Sequence, residues 1–263
     1  MILICYMFIP KVNFRTSNID KIFPFIHEML NMNESNWDWS NVFFKNYPKL
    51  KSKLSNENNI KKRKKIEYNF FKKYFEKNKE QFLMIQRKFQ KNWNEINDDV
   101  MIALSDIIET SWSKEDKPIY AYISLSPICP RDIIKREFFV FYNINVKKMK
   151  SITIHELLHF IYFKKWLSIF PSTKIEHLDY PYLVWHLSEI LTEVILNDQR
   201  IQNVFRYNFK TYDEYRKIKI NNNNNKYLLD YFFEFYNKRD NFENFLKSSW
   251  SFIKKNQNLI INT

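Results

Sequence analysis

The sequence predicts an α+β fold, a small mixed sheet set in a mostly helical chain, and three observations predict it. Long stretches before residue 117 and after residue 225 space their apolar residues by three, four and seven, the periodicity of amphipathic helices. Residues 119–125 and 137–143 instead carry strand signatures. A largely apolar helical segment follows them, so the local order is strand, strand, helix, with the sheet expected to pack on that helix. At 263 residues the chain can bury a sizeable core, and a hydrophobic fraction of 45% with 18% aromatics excludes a disordered protein. No internal repeat is visible. One domain is expected, running from a first strand and helices (1–116) through a central core (117–210) to an Asn-rich loop and closing helices (211–263).

Taken in order, residues 1–9 are apolar, stop at Pro10 and have no basic residue before them, which fits neither a signal peptide nor a spanning helix. They read as a buried first strand, with a cytoplasmic location as the default. Residues 19–31 place Ile22, Phe23, Ile26, Met29 and Leu30 at helical spacing, despite Pro24. The polar stretch 51–65 leads into Phe71, Phe75, Phe82, Phe89 and Trp93, one or two long helices, and 98–112 reads as another. Ile119, Ala121, Ile123 and Leu125 then alternate with Tyr120, Tyr122 and Ser124, and Pro127 and Pro130 end the strand. After the second strand, residues 148–170 are helical until Pro171. A polar loop (171–181) precedes an apolar helix (183–196), the Asn run 221–225 is a loop, and 227–254 forms one or two closing helices.

Composition bounds the partners. The chain contains no Gly, so Asn is expected at positive-φ positions, and a compositional bias of the coding sequence is the plainest cause. A net charge of +13 would suit nucleic acid, an anionic membrane surface or acidic substrates, with the densest run at Lys61, Lys62, Arg63, Lys64 and Lys65. In so Lys-rich a chain the run reads first as a solvated helix face, with nucleic acid as the alternative. Cys5 and Cys129 are too far apart in sequence to suggest a disulfide framework or a cysteine metal site and are expected as reduced, buried thiols.

The chemistry concentrates in His155-Glu156-Leu157-Leu158-His159, an HExxH motif inside a segment independently read as helix. Histidines four apart lie on one helix face, so both imidazoles reach one zinc ion, while Glu156 projects beside them toward a bound water as general base. Thr153, Leu157, Leu158, Phe160 and Ile161 are uncharged, as a metal helix packed in a core requires. His27-Glu28 is the internal control: Asn31 stands at its second position, so it cannot form the pair and reads as a surface or capping group.

Residues 119–198 thereby resemble the zincin metallopeptidases, which implies a zincin-like core, one Zn²⁺ per chain and a later residue as third ligand. The metzincin pattern fails, because Tyr162 and Lys165 stand where it wants Gly and His. The gluzincin branch takes a Glu from a following helix. Here His186, Glu189 and Glu193 share one stripe of an otherwise apolar helix, a costly arrangement for the acids unless paired or metal-bound, which favours Glu189 and Glu193 as ligands over the loop residues Glu176, His177 and Asp179. Glu189 is the preferred ligand, with Glu193 at the offset where the family places an acid, usually Asp, that orients the first His. If Glu193 is the ligand, Asn197 takes that outer place.

The resemblance further implies hydrolysis of a peptide bond in a peptide or protein substrate. The metal activates a water, Glu156 moves the proton, and Tyr180, Tyr182, His186 or His177 is available as an added donor to the oxyanion. Residues 119–126 would be the edge strand that pairs with the substrate. The alternative function is a non-enzymatic zincin-like metal-binding protein that acts through its basic helices on nucleic acid or a protein partner. A fortuitous motif in a metal-free helical protein is the third reading.

Overall fold

The computed structural model describes residues 8–32, 38–220 and 226–261. The fold is α+β, with thirteen α-helices and one four-stranded mixed sheet among these residues. They gather into two compact units.

The sheet-bearing unit holds residues 12–95 and 118–153. Strand β1 (Val12–Thr16) is followed by helices α1 (Ile19–Asn31), α2 (Trp39–Asn46), α3 (Pro48–Leu54), α4 (Ile60–Lys77) and α5 (Lys79–Asn94). The remaining strands are β2 (Ile119–Ser124), β3 (Arg131–Asp132) and β4 (Glu137–Phe141), in the order β1-β2-β4-β3. β1, β2 and β4 run parallel, in a register that sets Phe14 opposite Ala121 and Ile123 opposite Val140, and β3 is antiparallel to β4. α5 lies against β1 and β2, with Phe14 edge-on to Phe89 at 6.1 Å between ring centroids. The Gln90 side chain accepts from Phe14 N (2.7 Å) and donates to Val12 O (3.0 Å). It thus occupies backbone groups on the outer edge of β1 that would otherwise invite another strand.

Three expectations are corrected here. β2 is an interior strand, hydrogen-bonded to β1 on one side and β4 on the other, so Ile119–Ser124, the strand part of the expected edge 119–126, offers no open edge to a peptide. The first strand expected in residues 1–9 falls mostly on residues 1–7, which lie outside the described residues; residues 8–10 are not strand, and the first described strand is Val12–Thr16. The described positive-φ residues are Glu109 (52°) and Arg136 (51°) rather than Asn. Backbone hydrogen bonds hold both sites, Thr110 N to Ser105 O (3.1 Å) and Tyr120 N to Arg136 O (3.0 Å), so chain closure selects the conformation over residue preference. Cys129 is of intermediate exposure rather than buried, because it sits in the irregular turn after β2, while Cys5 lies outside the described residues.

His27 is also more than a capping group. Its Nδ1 lies 2.5 Å from Oε2 of Glu67, whose side chain is 0% exposed, and Asn31 Nδ2 donates to the other carboxylate oxygen at 3.2 Å. The pair joins α1 to α4, and α4 begins well inside the stretch expected to be merely polar. Asn59 caps it by accepting from Lys61 N and Lys62 N.

The second unit holds residues 8–11, 96–117 and 154–261. It contains α6 (Asn97–Ile108), the motif-bearing part of α7 (Val146–Ile169), α8 (Leu183–Leu196), α9 (Gln199–Val204), α10 (Asp213–Lys217), α11 (Leu228–Asn237), α12 (Phe242–Lys255) and α13 (Asn258–Ile261). α8 is buried along nearly its whole length and packs on α11, α12 and α13. The Asn run 221–225 lies outside the described residues. No described helix is long and apolar enough to cross a membrane.

An electrostatic clamp closes this unit. The Asp198 carboxylate caps α9 through Arg200 N, takes Nε and Nη2 of Arg200 at 2.9 Å each, and accepts the Tyr236 hydroxyl at 2.6 Å. Burial raises its pKa, but these donors together outweigh burial and hold the group well below the ordinary carboxylate range. A depressed folded-state pKa contributes stability that is complete above the unfolded value, near 4, and is lost as pH falls below it. Asp198→Asn is therefore expected to cost about 1–3 kcal/mol at pH 7 and to flatten the loss of stability below about pH 4, as read by urea titration across pH.

Candidate metal centre

α7 starts at a side-chain cap, Asn145 Oδ1 accepting from Lys148 N at 2.8 Å, and then runs unbroken through the motif. Its 3.6-residue turn puts His155 and His159 on one face. Their Nε2 atoms lie 3.0 Å apart. From α8, Glu189 Oε2 stands 3.3 Å from His155 Nε2 and Oε1 stands 3.2 Å from His159 Nε2. The side chains of His159 and Glu189 are 0% and 2% exposed, while that of His155 is 28% exposed, so the cluster is closed on the protein side and reachable at His155. Among the described residues this is the one group of three His, Cys, Asp or Glu that could hold a metal ion.

The donors fit such an ion. Two imidazole nitrogens and a carboxylate are the donor types that zinc takes, and with one ligand atom from each residue the three lie within 4.8 Å of one another. Glu156, one residue along α7, is buried at 4% exposure. No family model, curated protein or solved structure matches the chain. The fit to a metal thus rests on the chemistry of the donor set.

Glu193 does not join the triad in this structure. Its Oε2 accepts from Thr211 N at 3.0 Å and pairs with Arg216 Nε at 3.2 Å. Asn197 likewise serves the backbone, donating to Glu193 O and Phe209 O at 2.6 and 2.8 Å. Both Glu on the stripe are buried, Glu189 at 2% and Glu193 at 9%, so the helix does not display exposed ion pairs. Two hydroxyls, Thr192 Oγ1 and Thr211 Oγ1, donate to the Glu189 carbonyl at 2.6 and 2.8 Å and fix the backbone that carries the ligand candidate.

His186 is buried, and its Nδ1 lies 2.6 Å from the Tyr215 hydroxyl. Burial lowers its pKa, opposed by a hydrogen bond with the Pro181 backbone and by the Glu189 charge. Tyr215 is pushed well up, first by burial and then by the charge of Glu189. The Tyr180 ring stands 5.8 Å from that of His186, whereas Tyr182 stacks on His177 at 4.4 Å, both in the loop before α8. The sequence did not point to Thr211, Tyr215 or Arg216. They lie on an irregular segment and a five-residue helix, too short for periodicity to show, and only the fold brings them to α8.

Proposed function

We propose that the protein is a zinc-dependent hydrolase of the HExxH type that cleaves a peptide bond. The observation that carries this reading is the convergence of His155 Nε2, His159 Nε2 and the Glu189 carboxylate at 3.0–3.3 Å, with Glu156 buried beside them. Two imidazoles and one carboxylate are a three-ligand set of the catalytic kind, which leaves a fourth position open. Zinc held there supplies Lewis acidity and lowers the pKa of a water to about 7.

The residues of the chain do the rest. His155, His159 and Glu189 would hold the ion, and the burial of Glu189 keeps competing water from its carboxylate. Glu156 takes the proton of the attacking water at its carboxylate and delivers it to the leaving nitrogen. Tyr180, in the loop before α8, and His186, in the first turn of α8, have rings 5.8 Å apart and are the side chains from which an oxyanion donor would come.

Elemental mass spectrometry of the purified chain tests the reading. About one zinc per chain is expected in the wild type, with most of it lost in His159→Ala and Glu189→Ala. Glu193→Ala, which removes the bonds to Arg216 and Thr211, is expected to keep the metal while costing about 1–3 kcal/mol of stability. A wild type without zinc after loading and desalting, or equal loss in Glu189→Ala and Glu193→Ala, would sink the assignment.

A further inference from the structure

The basic charge is not spread evenly over the chain. Residues 45–66 hold nine of its 42 Lys and Arg and one of its 29 Asp and Glu, and so carry eight of the thirteen net positive charges. A composition rich in Lys everywhere would not concentrate them so. The structure folds this segment into α3 and the first turns of α4, which pack on each other. Arg63 is spent on holding the pair together, through Leu54 O (3.3 Å), Glu57 O (3.1 Å) and Asn31 Oδ1 (3.1 Å). Lys49, Lys53, Lys61, Lys62, Lys64 and Lys65 are exposed and contact no carboxylate among the described residues.

Such a cluster is unfavourable within the chain. Like charges repel across one helical turn, and the first turn of α4 carries lysines but no acid at the positive end of the helix dipole. An external polyanion would relieve both penalties. The side chains between the lysines select which one. Asn56, Asn58 and the amide nitrogen of Asn59 supply exposed small donors of the sort that bond phosphate and sugar oxygens. Ile60 is the one large apolar side chain exposed among residues 45–66, whereas an interfacial helix presents a whole apolar face to lipid. No aromatic ring is exposed there on which an unpaired base could stack.

We infer that the α3–α4 face binds the phosphate backbone of a nucleic-acid duplex without reading its sequence. The inference is independent of the metal centre, since the two lie in different units of the chain.

Fluorescence anisotropy of the full chain with labelled duplexes of about 20 base pairs, over a salt series, tests it. The wild type is expected to bind duplexes of unrelated sequence equally. Lys61→Gln/Lys62→Gln/Lys64→Gln/Lys65→Gln should weaken binding at least about tenfold and make the slope of log K against log salt shallower by about 3 to 4. Exposed Gln is a good helix former, and unchanged circular dichroism and an unchanged urea midpoint will report an intact fold. The matched control is Lys217→Gln/Lys238→Gln/Lys254→Gln/Lys255→Gln, which removes the same charge from exposed positions in the other unit and should bind within about twofold of the wild type. Equal weakening in both variants would overturn the inference in favour of net charge alone. So would absence of duplex binding, tighter binding to a single strand, or binding confined to phosphatidylserine vesicles or polyglutamate.

Discussion

Glu156→Gln is expected to lower kcat by about 10²–10⁴ on any peptide that the wild type cleaves, while zinc stays near one per chain. Gln keeps the size and packing of a side chain that is 4% exposed, so the core around α7 should not collapse. It removes the carboxylate to which the proposed mechanism assigns the proton of the attacking water, and an amide cannot substitute for it at neutral pH. The candidate metal triad of His155, His159 and Glu189 does not include position 156, which makes retained metal with lost turnover the discriminating pair of results. The measurement is single-substrate kinetics on a cleaved library peptide, with metal content read on the same samples. Full activity in Glu156→Gln would remove Glu156 from the mechanism, and loss of zinc with activity would make its role structural.

The second large effect is on stability. His27→Ala is expected to cost about 2–4 kcal/mol, because it leaves the Glu67 carboxylate fully buried with Asn31 as its remaining side-chain donor. For a chain of this size that is a fall in Tm of roughly 5–12 °C. The double variant His27→Ala/Glu67→Leu should recover part of the loss, since removing both partners also removes the unpaired buried charge. Urea denaturation of both variants checks this. A single variant within about 0.5 kcal/mol of the wild type would mean that water reaches Glu67.

These two residues mark the reach of sequence reasoning. Glu156 could be found because HExxH is local: five consecutive residues on a helix fix the direction of three side chains with no knowledge of the rest of the chain. His27 was read as an ordinary surface or capping group because its partner is 40 positions away on another helix, and nothing in residues 27–31 announces it. The same contrast holds for the stripe on α8. Its spacing selected His186, Glu189 and Glu193 together, but which acid meets the histidines depends on Arg216 and Thr211, which engage Glu193 and leave Glu189 to the triad. Strand β2 was recognised from its alternation, yet its interior place was not, since alternation reports which face is buried and says nothing of which edges are paired.

By itself, then, the sequence determined the class of fold, the course of most helices and strands, the HExxH face of α7 and the acids offered by α8, all of them properties with a period of two or of 3.6 residues. The tertiary structure alone decided the strand order, the His27–Glu67 pair, the separate roles of Glu189 and Glu193, and the joining of α3 to α4 into one basic face. Each of these is a pairing between residues distant in sequence, and such pairings follow from how elements pack, which no local pattern encodes.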